Sequence, residues 1–179
     1  MRKKAKIGAL VLLVALLTYC NIYGEESAEE ANNKGIELEK AGRYKEAIAE
    51  FSKAVVLKPD FYEALHNRAN TYYARGDFDL AISDCTKLIA LNPGDEVAYS
   101  NRAAAYARKG NVDQVLSDTN KAIEINPNYA RAYAGRALAY YLKRDYYKAW
   151  DDVHKAEELG IQVNPEFLQE LKKASGRDK

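Results

Sequence analysis

The chain is poor in the residues that carry chemistry. Its 179 residues include only two cysteines, two histidines, four prolines, one tryptophan and one methionine. Cys20 lies at the end of an apolar leader, so Cys85 is the only thiol of the body and no intramolecular disulfide framework is available. His66 and His154 are far apart and have no cysteine or carboxylate at metal-ligand spacing, so neither a metal nor a cofactor is expected. The ten glycines are singletons, which excludes a glycine-rich phosphate loop. No nucleophile, base and oxyanion donor come together in any motif, and the chain is expected not to be an enzyme. An excess of one charge is missing too. The net charge is +1, but residues 1–24 hold four basic residues and no acid, leaving 23 basic against 26 acidic side chains in the remaining 155. A formal −3 without clustered lysine and arginine excludes a nucleic-acid footprint.

The longest apolar run is also short. Met1-Arg-Lys-Lys-Ala-Lys is a basic segment, and Ile7 to Leu17 follows as 11 apolar or small residues. A membrane-spanning helix needs about 20, so this leader reads as an export signal rather than an anchor. Two routes of processing stay open. Leu17-Thr18-Tyr19-Cys20 is similar to a bacterial lipoprotein box, with Cys20 as lipidation candidate, although Tyr19 is larger than the residue such a box carries. Ordinary cleavage after Gly24 is the other. Either route places the body outside the cytoplasm, in the periplasm or cell envelope, with membrane contact only through the leader or a lipid.

What is present in quantity is a repeat. The segment 64–93, shifted by 34 residues, falls on Ala98-Tyr-Ser-Asn-Arg-Ala-Ala-Ala-Tyr and ends again at Asn126-Pro127. A second shift reaches Ala132-Tyr-Ala-Gly-Arg-Ala-Leu-Ala-Tyr-Tyr, and a backward shift aligns Gly35, Gly42, Tyr44, Ala47, Phe51, Ala54 and Pro59. A period in this range means stacked supersecondary units. The units are 28–61, 62–95, 96–129 and 130–163. Small residues at position 8 (Gly35, Ala69, Ala103, Ala137) and position 20 (Ala47, Ala81, Val115, Ala149) let two helices approach closely. Larger side chains at positions 11, 24 and 27 share their faces at helical spacing. Gly42, Gly76 and Gly110 at position 15 are expected to end each first helix in a left-handed cap, with Asp77, Asn111 and Asp145 capping the second. Pro59, Pro93 and Pro127 stop the second helix.

These positions resemble the tetratricopeptide repeat over residues 28–163. The resemblance implies an all-α, right-handed superhelical solenoid of four helix-turn-helix units. Asn164-Pro165-Glu166 opens a helix whose Phe167, Leu168, Leu171 and Ala174 form one apolar stripe, and 164–175 is expected to cap the last unit. Unit 4 departs from the pattern, with Arg144 in place of the glycine and no closing proline. Arg68, Arg102 and Arg136 recur with Asp84, Asp118 and Asp152, and the shared period predicts repeated structural ion pairs or solvated faces rather than an acid catalyst.

In this architecture the first helices line a concave groove, where a segment of a partner protein would bind. The candidate contacts are Asn32, Glu63, His66, Asn67, Asn70, Tyr73, Ser100, Asn101, Arg108, Arg131, Leu138 and Tyr141. Amides both donate and accept, which suits an extended backbone, and Arg108 and Arg131 suit a carboxylate. The asparagines can equally be solvated groove residues, and Leu138, Tyr141 and Leu142 can be apolar surface under the capping helix. A co-chaperone branch of the family holds chaperone C-termini with a clamp of two lysines, two asparagines and an arginine. Here the matching positions hold His66, Asn70, Asn101, Arg131 and Gly135, so tight binding of such tails is not expected. The chain therefore reads as an exported adaptor or assembly factor, or alternatively as an envelope lipoprotein organising an outer-membrane or cell-wall complex.

Overall fold

A computed structural model describes residues 26–176; the leader and Cys20 lie outside the described residues. Among the described residues there are nine helices and no strand. They run α1 (Ala28–Lys40), α2 (Tyr44–Leu57), α3 (Tyr62–Arg75), α4 (Phe78–Leu91) and α5 (Glu96–Arg108), then α6 (Val112–Ile125), α7 (Ala130–Leu142), α8 (Tyr146–Glu158) and α9 (Pro165–Ser175). Consecutive helices pack as hairpins, and each hairpin packs on the next, which makes a solenoid of four helix pairs closed by α9.

The turn inside each pair is set by one left-handed residue. Gly42, Gly76 and Gly110 adopt φ of 72°, 91° and 75°. The amide two residues past the helix then reaches back to close it, as Asp77 N donates to the Tyr72 carbonyl at 2.9 Å. The turn of the fourth pair has no glycine, yet Arg144 takes the same conformation at φ 63°. The backbone geometry is kept and its steric cost is accepted. The expected caps after these turns need a correction. Asp145 accepts from Lys148 N, but Asp77 and Asn111 make no side-chain cap. Asp77 takes up Arg75 instead, whereas Asn111 has the backbone of the capping Asp145, with ψ of 69° against 70°, and nothing in the structure explains its missing cap. Side-chain caps occur elsewhere, at Ser27, whose capping box pairs it with Glu30, and at Asp95.

Within each unit the small position 8 lies against the large position 24. Gly35 touches Phe51 so closely that a Cβ would stand 2.5 Å from the ring. Units 2 to 4 have alanine at position 8 and the smaller Cys85, Thr119 and Val153 at position 24, all buried. Between units a second set of small residues does the packing. Ala64 joins a cluster with Ala31 and Ala54 of the preceding unit, Ala98 joins Leu65 and Leu88, and Ala139 joins Ala103 and Val115.

The recurring arginines join three helices at once. Arg68 forks Asp84 at 2.7 and 2.9 Å, Arg102 forks Asp118 at 2.8 Å, and Arg136 forks Asp152 at 2.8 Å. The third nitrogen of each reaches back to the preceding unit, to Ser52, Thr86 or Asn120. Two parallel charge-assisted bonds plus one cross-unit bond fix register as well as adding energy. In unit 1 the same positions hold Lys34 and Glu50, 2.6 Å apart. Lysine has no fork, and Glu50 Oε2 is buried without a partner among the described residues.

At the far end α9 covers the last pair. Leu171 is fully buried in a cluster with Tyr133, Trp150, Val153 and Val163, and Trp150 Nε1 donates to Ser175 Oγ at 3.1 Å. Ala174, expected on the apolar stripe, is exposed, because the covered face runs from Leu171 to Ser175 and Ala174 lies beside it.

Candidate functional site

The first helices α1, α3, α5 and α7 each pack on the next, besides packing on their own partners, which puts them on the inner side of the curve. One row of amides runs along this surface. Asn67 Nδ2 donates to Asn32 Oδ1 at 3.0 Å, and Asn101 Nδ2 donates to Asn70 Oδ1 at 3.1 Å. Asn70 Nδ2 also lies 3.2 Å from His66 Nδ1. The amides thus bridge successive first helices.

This ladder stops at unit 4. The position held by Asn33, Asn67 and Asn101 in the first three units is Gly135 in the fourth. Beside it opens a cavity of about 410 Å³. Ala103, Val115 and Thr119 form its floor, Tyr73, Ala104, Ala107, Ala134 and Leu138 its walls, and Ser100 and Asn101 add polar edges. Arg108 and Arg131 stand at its rim. A smaller cavity of about 270 Å³ adjoins it and shares Tyr73, Asn101, Ala104 and Arg131.

The two rim cations differ in how they are held. Arg108 lies over the Phe78 ring at 5.4 Å, and Phe78 in turn meets Tyr73 edge-on at 5.6 Å. Arg131 is exposed and pairs with no acidic side chain among the described residues. Cations in a partly desolvated groove attract carboxylates more strongly than they would in open water.

The structure therefore sorts the sequence candidates. Tyr73, Ser100, Asn101, Arg108, Arg131 and Leu138 surround the larger cavity, and Asn70 lines the smaller. His66 and Asn67 join the amide ladder beside them, while Glu63 is exposed and lines neither cavity. Asn32 is a correction: it is buried at 6% exposure, lines neither cavity and is occupied by Asn67, whereas Ser100, at 7%, reaches only the edge of the larger cavity. Tyr141 is half-buried because Phe167 of α9 meets it edge-on at 5.5 Å, whereas Leu138 and Leu142 stay exposed. Val115 and Thr119, assigned to the core by their spacing, also form the cavity floor. The signal for this was Gly135, which removes the side chain that would lie above them.

Cys85 lines the smaller cavity but is 1% exposed, and burial pushes its thiol up to about 12. Such a thiol is protonated and unreactive at neutral pH. Among the described residues no three histidine, cysteine or carboxylate side chains gather to hold a metal.

Sequence models of two kinds match the chain. One described as TPR repeat covers residues 37–76, and one described as tetratricopeptide repeat covers 62–95 and 97–129. Similar solved structures include TTC0263, a thermophilic TPR protein of Thermus thermophilus. It is 28% identical, with a TM-score of 0.69 and 84% of each chain covered. A MamA crystal structure is 25% identical, with a TM-score of 0.72, over 88% of this chain and 92% of that one. The first TPR of Spaghetti (RPAP3), bound to the HSP90 peptide SRMEEVD, is 30% identical with a TM-score of 0.61. That match covers 64% of this chain and 90% of the other. No curated protein matches the chain.

Proposed function

The chain belongs to the tetratricopeptide repeat proteins, and from that premise we propose that it is a non-enzymatic scaffold binding a segment of another protein in its concave groove. The observation that carries this is the pair of adjoining cavities on the inner surface, apolar at the floor and edged by Arg108 and Arg131. The bound acidic peptide of the RPAP3 relative supports a carboxylate-bearing segment as the occupant. The chaperone-tail clamp is a poorer guide, because Gly135 supplies no cation and Asn70 and Asn101 are bonded to each other.

A photo-crosslinking amino acid replacing Tyr73 or Leu138 tests the reading, with Lys45 on the exposed face of α2 as control. Discrete adducts from the groove positions alone support it and identify the partner by mass spectrometry. Equal labelling at Lys45, or labelling there only, overturns it.

Export is a further part of the proposal, supported by the basic segment and the 11-residue apolar run of the leader. The alternative of a lipid on Cys20 predicts that Cys20→Ala moves the protein from the membrane to the soluble fraction. Unchanged fractionation would discard it.

A further inference from the structure

At one groove position unit 4 lacks the asparagine of the first three units, with Gly135 in place of Asn33, Asn67 and Asn101, and Gly135 lines the larger cavity. In units 2 and 3 an asparagine fills the groove floor and bonds to the unit before it, through Asn67 to Asn32 and Asn101 to Asn70. Gly135 leaves this volume open, and even a Cβ there would stand 3.4 Å from Thr119 Cγ2. The space reaches down to Val115 and Thr119 and is bounded by Tyr73 and Leu138, both more than a third exposed. At about 410 Å³ it lies in the range of about 300–1,000 Å³ typical of ligand pockets, large enough for a bulky side chain with room beside it. The smaller cavity of about 270 Å³ adjoins it through Tyr73, Asn101, Ala104 and Arg131, so a chain can run from one to the other.

We infer that this is a specificity pocket, taking one bulky apolar side chain from an internal segment of the partner whose flanking carboxylates meet Arg108 and Arg131. The inference rests on the groove reading above and names what the groove selects. Charge complementarity chooses the occupant. The two rim cations form no ion pair among the described residues, so acids beside the anchoring side chain are favoured and bases are repelled. This rules against the protein's own apolar leader, which carries Arg2, Lys3, Lys4 and Lys6 directly before its apolar run. An internal segment fits better than a free C-terminus, because Gly135 and His66 put no lysine or arginine at the positions where a chaperone-tail clamp gathers a terminal carboxylate.

The test uses the full chain and a fluorescein-labelled peptide with both ends blocked, core Asp-Glu-Phe-Glu-Asp, read by anisotropy. Its controls are the same peptide with alanine at the centre and one with the four acids changed to lysine. Burial of one large aromatic side chain predicts that the phenylalanine peptide binds about tenfold tighter than the alanine one. The lysine peptide should not bind. Gly135→Asn restores the residue of units 2 and 3, so it is compatible with the helix, and it should remove most of the phenylalanine advantage. Ala107→Leu fills the pocket from the opposite wall and should do the same. Arg131→Ala should weaken both acidic peptides alike and leave their ratio intact. If the ratio survives both filling variants, or if the phenylalanine peptide does not bind, the pocket inference falls. Groove crosslinks at Tyr73 and Leu138 persisting in that case would leave the broader reading standing; their loss would take both.

Discussion

Replacing Gly35 by alanine is the sharpest test of how this solenoid is packed. Helix propensity alone favours the change by about 1 kcal/mol, since Gly35 is interior to α1. Packing opposes it. The new methyl would stand 2.5, 2.6 and 3.0 Å from three ring atoms of Phe51, where carbon contacts are normally about 3.5–4.0 Å. Phe51 is fully buried, so its ring has no solvent to retreat into. With three contacts at or under 3.0 Å, forced overpacking falls in the upper part of its range, about 2–3 kcal/mol, and less the propensity gain the net expectation is a loss of about 1–2 kcal/mol. For a chain of this size that lowers Tm by about 2–8 °C. Stability in a solenoid is a sum of local terms, so protection from hydrogen exchange should fall first in α1 and α2. Adding Phe51→Val rebuilds the Ala137–Val153 combination of unit 4, and the double variant should be more stable than the two single losses add to, by about 0.5–3 kcal/mol. The same substitution at Gly135 should stabilise by up to about 1 kcal/mol, because its Cβ meets only Thr119 Cγ2 at 3.4 Å. If Gly35→Ala is as stable as the parent, or if the double variant is merely additive, the size-pairing argument is wrong.

Arg144→Gly should raise stability by about 0.5–1 kcal/mol, measured by urea denaturation, because it relieves a side chain held at φ 63°. Asp118→Asn removes the charged acceptor of the Arg102 fork and should cost about 1.5–3 kcal/mol by the same assay, since Asp118 is nearly buried while Arg102 keeps some access to water. Cys85 should resist a thiol reagent at pH 8 until the chain is unfolded, because it is 1% exposed and burial pushes its thiol up to about 12. The folded state therefore holds this proton more tightly than the unfolded state, whose thiol titrates near the ordinary 9.0. The stability that this supplies is complete below about pH 9 and is lost as pH climbs toward 12; Cys85→Ala should flatten that part of the stability-against-pH curve.

Period and residue size were enough to read the helix pairs, their left-handed glycine turns and the arginine–aspartate pairs from the chain alone. Each of these is local or recurs at 34 residues, so the pattern states it several times over. Helical spacing on the first helix of each unit put Tyr73, Asn101, Arg108, Arg131 and Leu138 on the face where the cavity opens, but not its floor of Ala103, Val115 and Thr119. What the pattern did not hold is contact between units. Ala64, Ala98 and Ala139 are buried by the neighbouring pair, and Asn32 is taken up by Asn67, neither of which the spacing within one unit reveals. Arg144 shows that a turn keeps its geometry without its glycine when the helices on both sides demand it. Gly135 is the clearest case of all. By spacing it is one more groove position, and only stacking three units around it turns a missing side chain into a cavity. Sequence determined the repeating unit because its constraints are short-range; tertiary structure decided the pocket because its walls come from helices 34 and more residues apart.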